Sequence, residues 1–403
     1  MKYLINLSLL FRNANFARLY LGSSISLLGM MISSVAIPYQ IYHETHSTVM
    51  VGLVSLGQLI PLLFTALIGG TLADRYNRKK LLVIAETIMA VSVLLLAFNA
   101  HMAHPNIALI FILAALTSAL NGLHRPAFSG LTQQIVAAED FLAMGALNTF
   151  IMSIVMIGGP AIGGLIIAQF GLMSAYLADF FSFLISIMAV IALKNIPPLA
   201  KVQHESPWLA LKSGLRYAKS RQELMGSYWV DFIAMVFGMP NALFPAIAQH
   251  YGGVKTLGLL YSAPAVGALV ISLFSGWTHH VKQYGKAIAI SAMFWGLTII
   301  GFGLSHHLWL ALFFLALSGV FDSISGIFRG VLWNQTIPPE LRGRLAGIEM
   351  ISYLSGPRLG DTQIGLSASI FGITISLVAG GVLCAAGVAV CCYLLPKFWR
   401  YKE

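Results

Sequence analysis

Twelve apolar runs separated by short polar breaks account for most of the chain. They fall at residues 18–42, 49–73, 80–100, 106–129, 143–169, 173–193, 226–249, 256–279, 285–305, 308–333, 346–370 and 374–395. Each is long enough to predict a helix across a bilayer, because a span needs about 20 apolar residues. Helices are the natural choice there, since they close their backbone hydrogen bonds within one segment. The predicted fold is an all-α membrane protein of twelve transmembrane helices. The longest polar break divides the spans into two sets of six. The predicted organisation is an N-terminal bundle over residues 1–195, a linker over 196–222 and a C-terminal bundle over 223–403. Within the linker, Pro207 to Tyr217 sets apolar residues at helical spacing with Lys212 and Arg216 between them. That pattern predicts an amphipathic helix lying at a membrane surface.

Composition sharpens the class. Of the 403 residues, 58% are hydrophobic and 9% charged, where a soluble domain carries about 25% charge. So few charges could not cover a soluble surface of this size. The net charge of +10 therefore reads as topology rather than as nucleic-acid binding. With the N-terminus inside, basic residues collect on one face: Arg12 and Arg18, Arg75 to Lys80, Lys194 to Arg221, Lys282 and Lys286, Arg342 and Arg344, and Lys397 to Lys402. Lys255 alone falls in the opposite loops. Both termini are thus expected in the cytoplasm. Arg12 and Arg18 interrupt the first twenty residues and no small-residue cleavage site follows, so the first span is expected to be retained. Cys384, Cys391 and Cys392 all lie in the last run and are expected as buried thiols.

The two halves also resemble each other. Arg125-Pro126 and Gln133 to Glu139 follow the fourth run, and Arg329-Gly330 and Gln335 to Glu340 follow the tenth, about 200 residues later. Such symmetry marks secondary transporters made of two parallel six-helix bundles, which bind solute near the midplane.

Between the second and third runs stands Gly69-Gly70-Thr71-Leu72-Ala73-Asp74-Arg75-Tyr76-Asn77-Arg78-Lys79-Lys80. At the end of a span, Gly70 can let two helices approach closely, and Asp74 can meet Arg78 or a neighbouring helix N-terminus. Gly70, Asp74, Arg75 and Arg78 are the candidate conformational latch, made in one state and broken in another. The segment resembles the signature loop of the major facilitator superfamily. Asn77 stands where that pattern has Gly, a substitution expected to be tolerated because Asn also adopts the left-handed conformation. The matching loop of the second half, Gly276 to Lys282, has no Asp. In the fifth run, Gly158-Gly159-Pro160-Ala161-Ile162-Gly163-Gly164 resembles the antiporter motif of the superfamily. Gly159, Pro160 and Gly163 are candidates for a hinge, or else for tight packing alone. Asp231 to Pro240 with Phe244-Pro245, Asn6 to Leu10, and Gly356 to Asp361 are similar to the enterobactin-exporter branch of drug–proton antiporters. That resemblance implies export of siderophore-like or drug-like molecules across a bacterial inner membrane, driven by proton entry.

Ionisable groups inside spans are costly and are functional candidates by default. Asp231 and Glu86 have no Lys or Arg within a helical turn and are the candidate proton carriers. Glu86 can alternatively meet the basic cluster two turns before it. Asp322, Arg329, Arg358 and Asp361 are the candidate substrate cavity, although Arg358 with Asp361, and Asp322 with Arg329, can simply neutralise each other. Glu349 can pair with Arg342 or Arg344, and Asp179 has no local partner. Tyr228, Trp229, Trp295 and Trp333 can stack on a ligand or belong to the core and interface. A membrane-embedded enzyme would need one polar catalytic cluster, whereas His279-His280 and His306-His307 fall on opposite faces. A receptor would carry a sizeable soluble domain. The expectation is a monomeric transporter without cofactor or metal, whose partners are a small-molecule substrate, protons and lipid. Uptake, lipid transport and a non-transporting receptor are the alternatives.

Overall fold

The computed structural model describes residues 8–196 and 207–402, and its regular structure there is helical. After the short α1 (Ser8–Arg12) come α2 (Ala14–Thr45), α3 (Thr48–Arg75), α4 (Arg78–His101), α5 (Ile107–Ile135) and α6 (Phe141–Ile191). The linker contributes α7 (Pro207–Ser220), and the rest of the predicted amphipathic segment's surroundings, residues 197–206, lie outside the described residues. The second half holds α8 (Gln222–Gly238), α9 (Phe244–His250), α10 (Val254–Leu273), α11 (Tyr284–Gly303), α12 (Leu308–Thr336), α13 (Arg342–Phe371), α14 (Ile373–Leu394) and α15 (Pro396–Trp399).

Ten stretches among the described residues are long and apolar enough to cross a membrane. Two details connect that count with twelve spans. The 51 residues of α6 would reach about 77 Å, over twice the hydrocarbon thickness, and their backbone breaks at Gly171 (φ 81°, ψ 173°). A side chain at that φ would be strained, so Gly171 is where one span ends and the next begins. The 30 residues of α13 are long enough, but Arg342, Arg344, Glu349, Arg358 and Asp361 make them too polar to qualify by hydropathy.

Local chemistry sets the turns. Asn77 and Asn106 cap α4 and α5, their side chains accepting from the backbone N–H of Lys80 and Leu109. Asn99 Oδ1 accepts from Asn106 N at 2.8 Å and closes the turn between those helices. Pro240 ends α8, and a short 3₁₀ turn, Asn241–Leu243, leads into α9 within the same span.

The chain forms two compact units. One takes residues up to Glu44 and from Gly57 to His204; the other takes Thr45–Leu56 and everything from Glu205 on, including the linker helix α7. In the first, α4 packs between α5 and α6 around Leu82, Leu131 and Val190. In the second, α11 packs against α12 and α14 around Trp295, Phe328 and Val388. Large apolar side chains also point outward: Phe64, Ile112, Leu273, Ile370 and Tyr393 are each more than 60% exposed. Lipid covers such a surface without cost, where water would not.

Candidate functional site

The signature loop folds as a clamp at one end of the first unit. Arg78, at the start of α4, donates to Ala73 O at 2.9 Å, to Gly130 O on α5 at 2.8 Å, and to Asp74 Oδ1 at 2.8 Å. Lys79 donates to the carbonyls of Ile191 and Leu193, at 2.8 and 2.9 Å, and so holds the end of α6. Arg75 is exposed. The close approach lies one residue earlier than expected. A Cβ on Gly69 would stand 2.8 Å from Gly122 O, whereas one on Gly70 would meet open space. Asn77 is extended (φ −62°) rather than left-handed, and fits because its side chain caps α4.

The suspected hinge motif is a packing seam. A Cβ on Gly159 would come within 2.4 Å of Met31 Cβ, and one on Gly163 within 3.1 Å of Ile32 Cα, so α2 lies directly against this part of α6. Pro160 is inside the helix, and the non-helical backbone of α6 is at Gly171 instead.

In the second unit, helices distant in sequence gather charge around one guanidinium. Asp231 on α8 has a basic partner that local spacing could not reveal: its Oδ1 pairs with Arg329 Nη1 from α12. Both side chains are nearly buried, at 10% and 13% exposure. Arg329 therefore pairs across helices, while its sequence neighbour Asp322 stands 3.9 Å from Nη2 and is half exposed. Glu349 also lies within electrostatic reach of Arg329, while Arg342 donates to Asn334 O at 3.4 Å and the Arg344 side chain lies outside the described residues. Arg329 Nε has no hydrogen-bond partner among the described residues. Asp361 lies apart from this group. Its Oδ1 accepts from Ala242 N in the 3₁₀ turn at 3.1 Å and its Oδ2 from Ser55 Oγ at 3.3 Å, with Arg358 within electrostatic reach. Thr48 and Thr362 add bonds to Gly365 O and Gly52 O, joining the start of α3 to α13 within this unit.

The buried acids of the first unit, Glu86 and Asp179, meet no Lys or Arg among the described residues. Glu86 does not reach the basic cluster; its Oε1 meets His124 Nε2 at 2.9 Å and Ser186 Oγ at 2.8 Å. Asp179 is fully buried and accepts from Ser33 and Ser182. His124, Ser186 and Ser33 lie outside the candidate residues expected from the sequence, and Lys79 is expected there only as part of the basic signature loop. Lys79 stands within the signature loop, and His124 stands directly before Arg125, whose counterpart in the second half is Arg329. Of the aromatic candidates, Trp295 belongs to the core, and Trp333 donates to Ser227 Oγ at 2.8 Å. The three cysteines are free thiols. Among the described residues no group of three metal-ligating side chains exists.

A clamped signature loop, charges in spans and helical bundles describe a transporter architecture, and the family model for transmembrane secretion effectors matches residues 8–400. The chain belongs to this family. It is a branch of the major facilitator superfamily, so the protein is an integral membrane transporter and not an enzyme. The enterobactin exporter EntS of Citrobacter koseri is 28% identical over 404 residues, covering all of this chain and 96% of the relative. Its Shigella boydii counterpart is 28% identical over 410 residues, with the same coverage. Solved structures share the fold at lower identity. A bacterial homologue of the lysosomal transporter Spinster aligns with TM-score 0.75 and 13% identity, covering 97% of this chain and 98% of that one. A bacterial homologue of the iron transporter ferroportin aligns with TM-score 0.71 and 16% identity, covering 96% and 98%.

Proposed function

We propose that this protein is a secondary active exporter of a siderophore or drug-like small molecule, exchanging it for protons by alternating access. The full-length similarity to enterobactin exporters supports the substrate class and the direction. The observation that carries the coupling is the buried Asp231–Arg329 pair with Asp322 within 4 Å of the same guanidinium. Arg329 keeps its charge at any working pH, so it cannot leave Asp231 without stranding a carboxylate. When Arg329 turns toward Asp322 or Glu349, Asp231 takes a proton; when it returns, the proton leaves. Substrate exchange drives that turn.

In this reading, Arg358 and Asp361 serve the substrate cavity with Arg329 and Asp322. The Asp74–Arg78 contact is a latch that is closed in one state, with Arg75 and the glycine pair beside it. Gly159, Pro160 and Gly163 form the seam on which α6 moves against α2. The protein works as a monomer in a bacterial inner membrane, both termini cytoplasmic, and the linker helix lies on the inner leaflet.

The test is transport in proteoliposomes holding the purified protein, with enterobactin and a panel of cationic drugs as probes. An imposed pH gradient is expected to accelerate movement of at least one probe and to dissipate as it moves. Movement indifferent to the gradient would rule out proton exchange.

A further inference from the structure

Glu86 is fully buried on α4, and its second oxygen, Oε2, has no hydrogen-bond partner among the described residues. Among the described residues, His124 and Ser186 bond its other oxygen. The hydroxyl of Ser26 on α2 is buried and unpartnered too. Gly22 and Gly29 of α2 pack on Ser186 and Ser182 of α6, and Ser26 shares their helix face. Ser26 thus lies on the face of α2 that packs on the Ser182–Ser186 stretch of α6, and Ser186 is the residue that bonds Glu86.

The charged neighbours are committed elsewhere. Arg78 is spent on Asp74 and two carbonyls, and Lys79 on the end of α6. Arg125, beside His124, is exposed and donates to Asn121. Asp179, two turns from Ser186 along α6, is held by Ser33 and Ser182. A bare carboxylate in this setting lacks a countercharge, and a serine cannot supply one. A proton can.

We propose that Glu86 and His124 form a proton-binding pair in the N-terminal unit, loaded through His124 and separate from the Asp231–Arg329 pair. Its use in transport rests on the antiport reading above. The His124 side chain is 11% exposed and that of Glu86 not at all, so His124 is the member a proton reaches first. With Nε2 donating to Glu86 Oε1, Nδ1 is the nitrogen that accepts an incoming proton. The result is an imidazolium–carboxylate pair. Transfer of the Nε2 proton to Oε1 then leaves a neutral acid beside a neutral ring protonated at Nδ1. One proton has been stored, and the reverse steps release it. Two coupled sites titrate together, so the pair behaves as one proton-binding unit.

The full-length protein in nanodiscs, labelled with nitrogen-15 histidine, tests this at equilibrium, without transport. The His124 signal is identified by its absence in His124→Gln. That signal is expected to report proton uptake by the ring as the medium is acidified. Glu86→Gln should weaken its proton affinity at least tenfold, about one pH unit, while Asp231→Asn should leave it within about twofold. A ring that does not titrate, or whose titration Glu86→Gln leaves in place, overturns the pair. Should Glu86→Gln fail to fold, carbon-13 glutamate infrared spectra of the wild type and His124→Gln decide. A protonated carboxyl band that tracks the His124 titration, and loses that dependence in His124→Gln, supports the pair; a band indifferent to the substitution overturns it. Proton-independent export would remove the antiport reading and leave these titrations intact.

Discussion

Two buried carboxylates, one in each unit, are satisfied in opposite ways. Glu86 leans on a histidine and a serine, and Asp231 on an arginine. An imidazole can gain or lose its charge near neutral pH, whereas a guanidinium cannot. The first site can be neutralised by a proton alone. The second needs a side chain to change partners, and Asp322 at 3.9 Å is the partner at hand. On the proposals above, one site stores a proton without motion while the other ties a proton to the movement of a side chain.

The most damaging change should be Arg329→Met, which leaves Asp231 buried with no cation. It is expected to cost about 3–5 kcal/mol, read as a lower thermal unfolding midpoint in detergent. Glu86→Gln, which keeps shape and a hydrogen-bonding oxygen, should cost only about 1 kcal/mol. Equal losses would erase the contrast between the two sites. The double variant Arg329→Met with Asp231→Leu should recover most of the loss, because it removes the stranded charge.

Packing gives a smaller test. Gly69→Ala should destabilise by about 1–3 kcal/mol, since its new Cβ would press on the Gly122 carbonyl. Gly70→Ala should lie within about 0.5 kcal/mol of wild type. If the neighbours respond alike, the close approach of α3 to α5 is misplaced. The smallest effect expected is at Asn77→Gly, a loss of a few tenths of a kcal/mol as one cap is exchanged for another.

The helices were legible because lipid imposes one rule on every span, and apolar runs of the right length report it. The break between the fifth and sixth spans was fainter, since Phe170-Gly171-Leu172 continue the apolar stretch and only its length, too great for one span, demands a break near Gly171. The signature loop was legible as chemistry but not as geometry. Its charges sit within one turn, so Asp74 and Arg78 could be paired on paper. Which of two adjacent glycines touches α5 depends on helix rotation, which the neighbouring helix sets. The charge sites were least legible. Asp231 and Arg329 are almost a hundred residues apart, and Glu86, His124 and Ser186 come from three helices. Spacing along one helix reveals partners on that helix only. It therefore suggested Asp322 for Arg329 and no partner for Asp231.

The most direct measurement compares wild type with Asp231→Asn in proteoliposomes, using enterobactin both with an imposed pH gradient and in exchange without one. The variant is predicted to retain exchange while losing the gradient's acceleration, because the site can still rock but no longer carries a proton. Acceleration equal to the wild type would contradict the role assigned to Asp231 and Arg329.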